Sequence, residues 1–183
     1  MKNSFLKLTL SLATASSVAL AQGAFIGYEG ALSHSILKIS EKAKDVRPIY
    51  GLRAGYDFDI YRIYGSYHYN GSAKDSVAGK NIKWTNHNFL LNADFTPTIT
   101  DNVRLILGLY AGVNRINVKF NNTKETGSHF MAGSRIGAEL NVNENVAFEL
   151  GLKSYYTKYD VKLNSKKIEE INRAIYLGYT YKF

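Results

Sequence analysis

Ten charged side chains recur within segments of this sequence that are otherwise apolar or rich in glycine. Successive side chains of an extended strand point to opposite faces, so residues two or four apart share a face. Arg53 and Asp57 share a face in this way, as do Glu149 and Lys153. Five acids and five bases suit either a network of buried ion pairs or the charged wall of an ion-selective channel. The ten residues are Glu29, Arg53, Asp57, Arg62, Asp94, Arg104, Arg135, Glu139, Glu149 and Lys153.

A second set of charges is basic and lies in four polar segments, residues 34–47, 70–83, 115–127 and 158–173. These segments hold fifteen of the 23 Lys and Arg residues but only seven of the 15 Asp and Glu residues. Such a surface attracts phosphates and sulfated polymers. The alternative is a solvated surface that only keeps the segments soluble. The basic residues are Lys38, Lys42, Lys44, Arg47, Lys74, Lys80, Lys83, Lys119, Lys124, Lys162, Lys166 and Lys167.

Metal and cofactor chemistry finds little support in the sequence. There is no cysteine, so disulfides and thiolate metal sites are excluded. The four histidines, His34, His68, His87 and His129, fall near the ends of strand-like segments, where they could form a metal-binding or acid-sensing rim. His68 and His87 are expected on opposite faces, however. We therefore predict no metal site, no cofactor and no catalytic residues.

Eight segments of about ten residues alternate apolar with polar or small side chains, and these are the elements that must position the charges. The clearest is residues 50–58, where Tyr50, Leu52, Ala54 and Tyr56 alternate with Gly51, Arg53 and Gly55. Short turns and long polar segments join the strands alternately, which is the pattern of a transmembrane β-barrel. A soluble barrel or sandwich would turn its apolar face inward, and its core could not hold the ten charges. The predicted strands are residues 23–33, 50–58, 61–69, 88–95, 103–113, 130–140, 146–156 and 174–183.

The N-terminus has the features of a secretory signal. Lys2 and Lys7 flank a short apolar region that ends in Ala19-Leu20-Ala21, a small-x-small cleavage site. We predict a signal peptide over residues 1–21 and a single domain over residues 22–183.

The last strand ends on an aromatic residue, with Tyr179, Tyr181 and Phe183 on one face. This strand resembles the closing strand of bacterial outer-membrane β-barrels, in which a terminal Phe after alternating aromatics is read by the barrel-assembly machinery. Over residues 22–183 the sequence resembles the small eight-stranded outer-membrane proteins: the transmembrane domain of outer-membrane protein A, the OmpX type and the opacity-like surface proteins. We therefore expect an all-β fold, a closed eight-stranded antiparallel transmembrane β-barrel with four long extracellular loops and short periplasmic turns, located in the bacterial outer membrane.

The interior of an eight-stranded barrel is just wide enough for side chains to fill it, so we expect the charges to pair as a plug. The turn at Asp59-Ile60 sets Asp57 opposite Arg62, and the turn over 96–102 is expected to set Asp94 opposite Arg104. Glycines on the same face should leave room for arginines. A symmetric turn over 141–145 would oppose the like charges Glu139 and Glu149, and also Arg135 and Lys153. We therefore expect a two-residue offset in that hairpin.

The function predicted from these features is that of a structural or surface-interaction protein, not an enzyme. Its basic loops are expected to contact lipopolysaccharide or host polyanions such as sulfated glycans. Other expected partners are outer-membrane lipid and the barrel-assembly machinery; nucleic acid is not expected, and the protein is predicted to be a monomer. A narrow porin-like channel is one alternative. A lipid A-modifying enzyme is another, because His34, Asp75 and Ser76 are loosely similar to the His and Asp-Ser set of lipid A palmitoyltransferases.

Overall fold

The computed structural model describes residues 23–38, 42–77, 80–120, 123–160 and 167–183. The predicted signal peptide, Lys162 and Lys166 lie outside these ranges. Within them no helix has the length and apolar character needed to cross a membrane. The strands are β1 Ala24–Lys38, β2 Lys42–Asp57, β3 Tyr61–Val77, β4 Lys80–Phe95, β5 Thr98–Thr100, β6 Val103–Phe120, β7 Thr123–Asn141, β8 Val146–Asp160 and β9 Lys167–Lys182.

The eight long strands close into an antiparallel barrel. Strand order is β4-β3-β2-β1-β9-β8-β7-β6-β5, and an additional pairing of β4 with β6 joins the two ends of the sheet. The first and last strands pair, with Tyr28 opposite Tyr179. The short strand β5 pairs only with the start of β6 and lies in the connection between β4 and β6. The predicted closed eight-stranded barrel is thus confirmed.

The long strands extend well beyond the predicted limits. The ladder between β1 and β2 runs to Lys38 and Lys42, and that between β6 and β7 runs to Phe120 and Thr123. The segments predicted as long loops are therefore largely strand. Their polar composition hid this from the sequence, because the expected strands were ended where apolar alternation stopped. Backbone pairing can continue past that point, since each N–H and C=O still finds a partner on the neighbouring strand.

The two faces of the barrel wall are opposite in character. The outward residues are apolar and exposed, with Leu109 at 70% and Phe130 at 69% exposure. Aromatic side chains gather on the outer surface near the short turns, where the rings of Tyr61 and Phe95 lie 5.4 Å apart and those of Phe148 and Tyr179 5.6 Å apart. An apolar exterior that carries an aromatic belt fits a lipid environment. The inward residues are buried and mostly polar.

Side-chain and backbone geometry fixes the short turns. Asp59 has φ 68°, in the left-handed region that Asp tolerates better than most residues. In the turn between β7 and β8, Asn143 Oδ1 accepts hydrogen bonds from the backbone N–H groups of Asn145 and Val146, at 2.9 and 2.8 Å. These turns hold β2 against β3 and β7 against β8 in register.

Candidate functional site

The ten charged residues singled out from the sequence all face the lumen and are buried. Arg62 and Glu139 have no exposed surface at all. Each contributes to ion pairs that join side chains from different strands. Ion pairs between acids and bases of different strands therefore cross the lumen in the part of the barrel nearest the short turns.

Arg104 anchors the end of this network nearest the short turns. Its guanidinium donates to Asp57 Oδ2 at 2.6 Å, to Glu139 Oε1, and to the backbone carbonyl of Asp59 at 2.7 Å. Lys182 Nζ lies 3.3 Å from both Asp57 Oδ2 and Glu139 Oε1. The backbone contact ties the network to the turn after β2.

Arg62 connects acids from three other strands, β4, β7 and β8, across the lumen. Its guanidinium contacts Glu139 Oε2 at 2.5 Å, Glu149 Oε1 at 2.9 Å and Asp94 Oδ2 at 3.3 Å. Glu149 is also held by Arg53, whose two terminal nitrogens lie 2.8 and 2.7 Å from its two oxygens. This bidentate geometry is the strong form of a charge-assisted hydrogen bond.

Aromatic rings complete the packing further along the lumen. The guanidinium of Arg135 pairs with Asp94 and lies between two tyrosine rings, 5.3 Å from the centroid of Tyr64 and 5.4 Å from that of Tyr176. Cations at such distances are attracted by the ring face. Lys153 pairs with Glu29 and lies 5.8 Å from the same Tyr176 ring. The inward tyrosines were not singled out from the sequence as part of the lumen.

The pairings expected from the sequence are wrong, although one register is right. Asp57 does lie opposite Arg62, but its carboxylate pairs with Arg104 and Lys182. Asp94 lies opposite Gly108, not Arg104. The connection after β4 is not a symmetric turn, because β5 takes the place beside Arg104, with Thr98 directly opposite. The true cross-strand partner of Asp94 is Arg62.

The expected two-residue offset between β7 and β8 is also wrong. Glu139 lies directly opposite Glu149, and Arg135 directly opposite Lys153. Like charges at such positions repel, but each has counter-charges from other strands. Arg62 contacts both glutamates, and the partners of Arg135 and Lys153 come from β4 and β1.

Close approach of arginines explains several lumen glycines, as expected. A Cβ on Gly178 would lie 2.8 Å from Arg53 Nη2, and one on Gly108 would lie 2.8 Å from Arg135 Cγ. Real Cβ atoms do not come so close to neighbouring atoms. The glycines on these strands therefore make the space into which the guanidinium groups fit.

The other half of the lumen contains uncharged polar residues that the sequence analysis missed. Asn114 Nδ2 donates to Asn88 Oδ1 at 2.7 Å, and Asn70 Nδ2 donates to the hydroxyl of Tyr155 at 3.3 Å.

Arg47, predicted as a basic loop residue, is instead buried in β2, with Nη2 3.7 Å from Glu170 Oε1. Asn88 and Tyr155 lie on the inward face of predicted strands, and extending that inward parity beyond the predicted strand ends would have found Asn70, Asn114, Arg47 and Glu170.

Four of the predicted basic residues fall in one row across four strands. Lys74 of β3 pairs with Lys83 of β4, Lys83 pairs with Lys119 of β6, and Lys119 pairs with Lys124 of β7. We call these four positions the lysine row. Lys38 and Lys42 form a separate cross-strand pair at the end of the first hairpin. The remaining predicted basic positions with described backbone are Lys44, Lys80 and Lys167, which lie in β2, β4 and β9.

Comparison with known families identifies the kind of barrel. The family model of the outer membrane protein beta-barrel domain matches residues 7–183. The chain belongs to this outer-membrane barrel family. It is a protein of the bacterial outer membrane, and its exposed apolar wall faces lipid.

Solved structures of outer-membrane barrels share the fold. Neisserial surface protein A is 18% identical, covers 88% of this chain and 100% of its own, and superposes with a TM-score of 0.69. Ail of Yersinia pestis is 17% identical, covers 87% of this chain and 99% of its own, and has a TM-score of 0.54. OprG from Pseudomonas aeruginosa is 17% identical, covers 89% of this chain and 97% of its own, and has a TM-score of 0.51. Ail has also been crystallised in complex with the heparin analogue sucrose octasulfate. A comparison with curated proteins gives no match.

The C-terminal residues of this outer-membrane barrel lie on its outer face. Tyr179, Tyr181 and Phe183 are exposed, and the rings of Tyr181 and Phe183 lie 5.3 Å apart. The backbone N–H of Phe183 donates to the carbonyl of Ala24 at 3.0 Å, which closes the barrel at the first strand. Their reading by the assembly machinery remains a prediction.

The residues considered for chemistry at the barrel rim do not converge. His34 is on β1, whereas Asp75 and Ser76 are on β3, and β2 lies between these strands.

The other histidines considered for a metal site also lie apart. His68 faces the lumen, with Nε2 3.6 Å from Glu29 Oε1. His87 is on the outer side against Tyr67, whose hydroxyl lies 2.8 Å from Nδ1. In the part of the chain that the structure describes, no three His, Cys, Asp or Glu side chains are grouped as a metal site.

Proposed function

We propose that this outer-membrane barrel is a surface-interaction protein that binds polyanions along the lysine row. The observation that carries the proposal is the register that pairs Lys74, Lys83, Lys119 and Lys124 in sequence across four strands. Directly paired residues of neighbouring strands share a face. With ~4.8 Å between strands, four such positions span about 15 Å, a length suited to a linear polyanion.

The row has an electrostatic reason to take up an anion. Like charges directly opposite each other on a sheet destabilise it, by ~0.2–1 kcal/mol for each pair. The nearest acids in the sequence are Asp75 and Glu125, which immediately follow Lys74 and Lys124. In the backbone register these acids lie opposite Ile82 and Val118, and neither is directly opposite a lysine of the row. A sulfate or phosphate polymer would relieve the repulsion among the four lysines.

Two polyanion sources fit this chemistry at the outer surface of a bacterium: sulfated glycans of a host and the phosphates of lipopolysaccharide. The complex of Ail with a heparin analogue supports the first, since the two proteins share a fold.

We also propose that the protein has no enzymatic activity, because His34 and Asp75–Ser76 belong to non-adjacent strands.

The lumen is proposed to be closed by its own side chains. The support is the ion-pair network centred on Arg62, which has no exposed surface. We expect wild-type protein in planar bilayers to be nearly silent. Large, steady conductance would instead favour the porin-like alternative, with the charges lining a water-filled path.

The test of polyanion binding compares two variants with the same change in net charge. One replaces the four lysines of the row by Gln; the control replaces Lys42, Lys44, Lys162 and Lys166. Binding of folded protein to immobilised heparin and to lipopolysaccharide is measured at several salt concentrations. We expect row replacement to weaken binding by at least ~10-fold and to flatten the salt dependence, with about threefold or less for the control.

Equal losses in both variants would mean that net charge, and not the row, attracts the polymer. Binding that does not respond to salt would refute an electrostatic role. The source of the polyanion is identified by the ligand, heparin or lipopolysaccharide, whose binding weakens when the lysine row is replaced.

A further inference from the structure

The outer wall of the barrel has a groove of about 510 Å³ across β7, β8, β9, β1 and β2. Most of its outward lining is apolar and well exposed, as expected for a wall in lipid. These apolar residues are Leu32, Val46, Ile136, Leu152 and Ile175. Polar side chains interrupt this wall at four positions, His34, Arg173, Ser154 and Ser134.

The four polar residues form one continuous row. His34 of β1 pairs with Arg173 of β9, Arg173 pairs with Ser154 of β8, and Ser154 pairs with Ser134 of β7. Arg173 is exposed, and it makes no ion pair with the charged side chains described here. A run of polar side chains on a lipid-facing wall is costly unless something pairs with it.

The row climbs from the interior of the bilayer to its extracellular edge. Arg173 lies ten residues from Phe183 along β9, which at ~3.3 Å per residue and a tilt of ~40° is a height of about 25 Å. The apolar band of such barrels is ~25 Å tall, so the guanidinium lies at its outer boundary. Ser154 and Ser134 lie eight and six residues from Val146 and Leu140, and are therefore deeper. By the same arithmetic the hydroxyls of Ser154 and Ser134 lie about 5 and 10 Å below the cation, which is at headgroup depth.

We propose that this groove binds one phosphorylated glycolipid of the outer leaflet, a lipid of the lipid A class. The guanidinium of Arg173 and a ring N–H of His34 donate to the phosphate. The hydroxyls of Ser154 and Ser134 donate to the ester or amide carbonyls that follow the headgroup, and the acyl chains lie along Leu152 and Ile175. The site is separate from the lysine row and does not rest on the polyanion binding proposed for it.

Charge complementarity and depth together favour this occupant. A glycan polymer stays in water and could reach Arg173 but not Ser134 or the apolar lining. A lipid presents, in order of depth, an anion, polar carbonyls and hydrocarbon. The groove presents the matching groups in that order.

The test is native mass spectrometry of folded protein released from mild detergent, with hexa-acylated diphosphoryl lipid A as the probe. We expect wild type to retain one lipid A and Arg173→Gln to bind it about tenfold less tightly, the loss of one charge-assisted contact. Arg115→Gln is the matched control, because Arg115 is also exposed and lies at the extracellular end of β6 outside the groove. It should bind as wild type does. Leu152→Trp, which fills the groove without changing charge, should also weaken binding.

Dephosphorylated lipid A and phosphatidylglycerol separate the possible lipids, and both should bind at least fivefold more weakly. Equal retention by wild type and Arg173→Gln would overturn the proposal, as would an equal loss in Arg115→Gln. Phosphatidylglycerol binding as tightly as lipid A would overturn the assigned lipid class. Replacing the lysine row by Gln should leave this stoichiometry unchanged, so the two proposals fail independently.

Discussion

The pair formed by Lys153 and Glu29 tests the lumen network sharply, because the two partners do not depend equally on each other. Both side chains are almost completely buried. Glu29 has further neighbours: Arg135 Nη1 lies 3.9 Å from Oε2, and His68 Nε2 lies 3.6 Å from Oε1. Lys153 lies opposite Arg135 across the strands, and among the described residues Glu29 is the acid that it contacts.

We therefore expect Glu29→Gln to destabilise the barrel more than Lys153→Met does. The first change leaves a buried ammonium facing Arg135 without its acid, at a cost of ~3–5 kcal/mol. Coulomb's law gives a similar size, about 4 kcal/mol for unit charges ~4 Å apart at an effective dielectric constant of ~20. The second change leaves Glu29 its contact with Arg135 and removes a like-charge neighbour of that arginine. Its cost should be about half as large, and the double variant should cost at least ~1 kcal/mol less than the sum of the singles.

The free energy of unfolding is measured by guanidinium titration of protein refolded in lipid vesicles, with circular dichroism reporting β-structure. Unfolding and refolding curves must coincide for the values to be compared. Glu144→Gln, in the exposed turn between β7 and β8, is the control and should stay within ~0.5 kcal/mol of wild type. The reasoning is refuted if Lys153→Met costs as much as Glu29→Gln, or if the single costs add.

Two further changes test the assignment of faces and the packing of the lumen. Leu107→Arg places a charge on the lipid face near mid-bilayer and should destabilise the barrel by ~2–4 kcal/mol. The yield of heat-modifiable, membrane-inserted protein should fall accordingly, whereas the control Leu107→Met should keep the wild-type yield. Equal yields for the two variants would contradict the face assignment. Gly108→Ala should destabilise the barrel by ~1–3 kcal/mol, because its Cβ would lie 2.8 Å from Arg135 Cγ, whereas at Gly65 a Cβ meets nothing within 4 Å. The same titration compares the two alanine variants, and indistinguishable midpoints would contradict the close packing described here.

The strands, their faces and the closure of the barrel could be predicted from the sequence because they depend on local alternation. Tyr50, Leu52 and Ala54 face outward, and Gly51 and Arg53 face inward, for no reason beyond the pleat of one strand. The extent of the strands was missed because apolar alternation stops at the membrane surface while backbone pairing does not. Arg47 shows the consequence: it was assigned to a loop but is buried beside Glu170.

Partners inside the lumen could not be predicted in the same way, because they come from across the barrel. Arg53 on β2 holds Glu149 on β8, 96 residues away in the chain, and Arg62 on β3 reaches Glu139 on β7. Which side chains meet depends on strand tilt and stagger around the closed sheet, and no single hairpin contains that information. The expectation that cross-strand neighbours pair therefore holds for Arg62 and Asp94 but fails for Asp57, whose partners come from β6 and β9.

The hairpin of β7 and β8 shows what replaces that rule. Glu139 and Glu149 lie opposite each other, and the repulsion is offset because one guanidinium, that of Arg62, contacts both at 2.5 and 2.9 Å. Two like charges directly opposite each other on neighbouring strands thus indicate that a counter-charge lies close to both. The lysine row has the same like-charge register, but it lies beyond the ion-paired part of the lumen, at the ends of the strands. By the same physical reasoning its counter-charge is expected from outside the chain, which is the role that we propose for the polyanion.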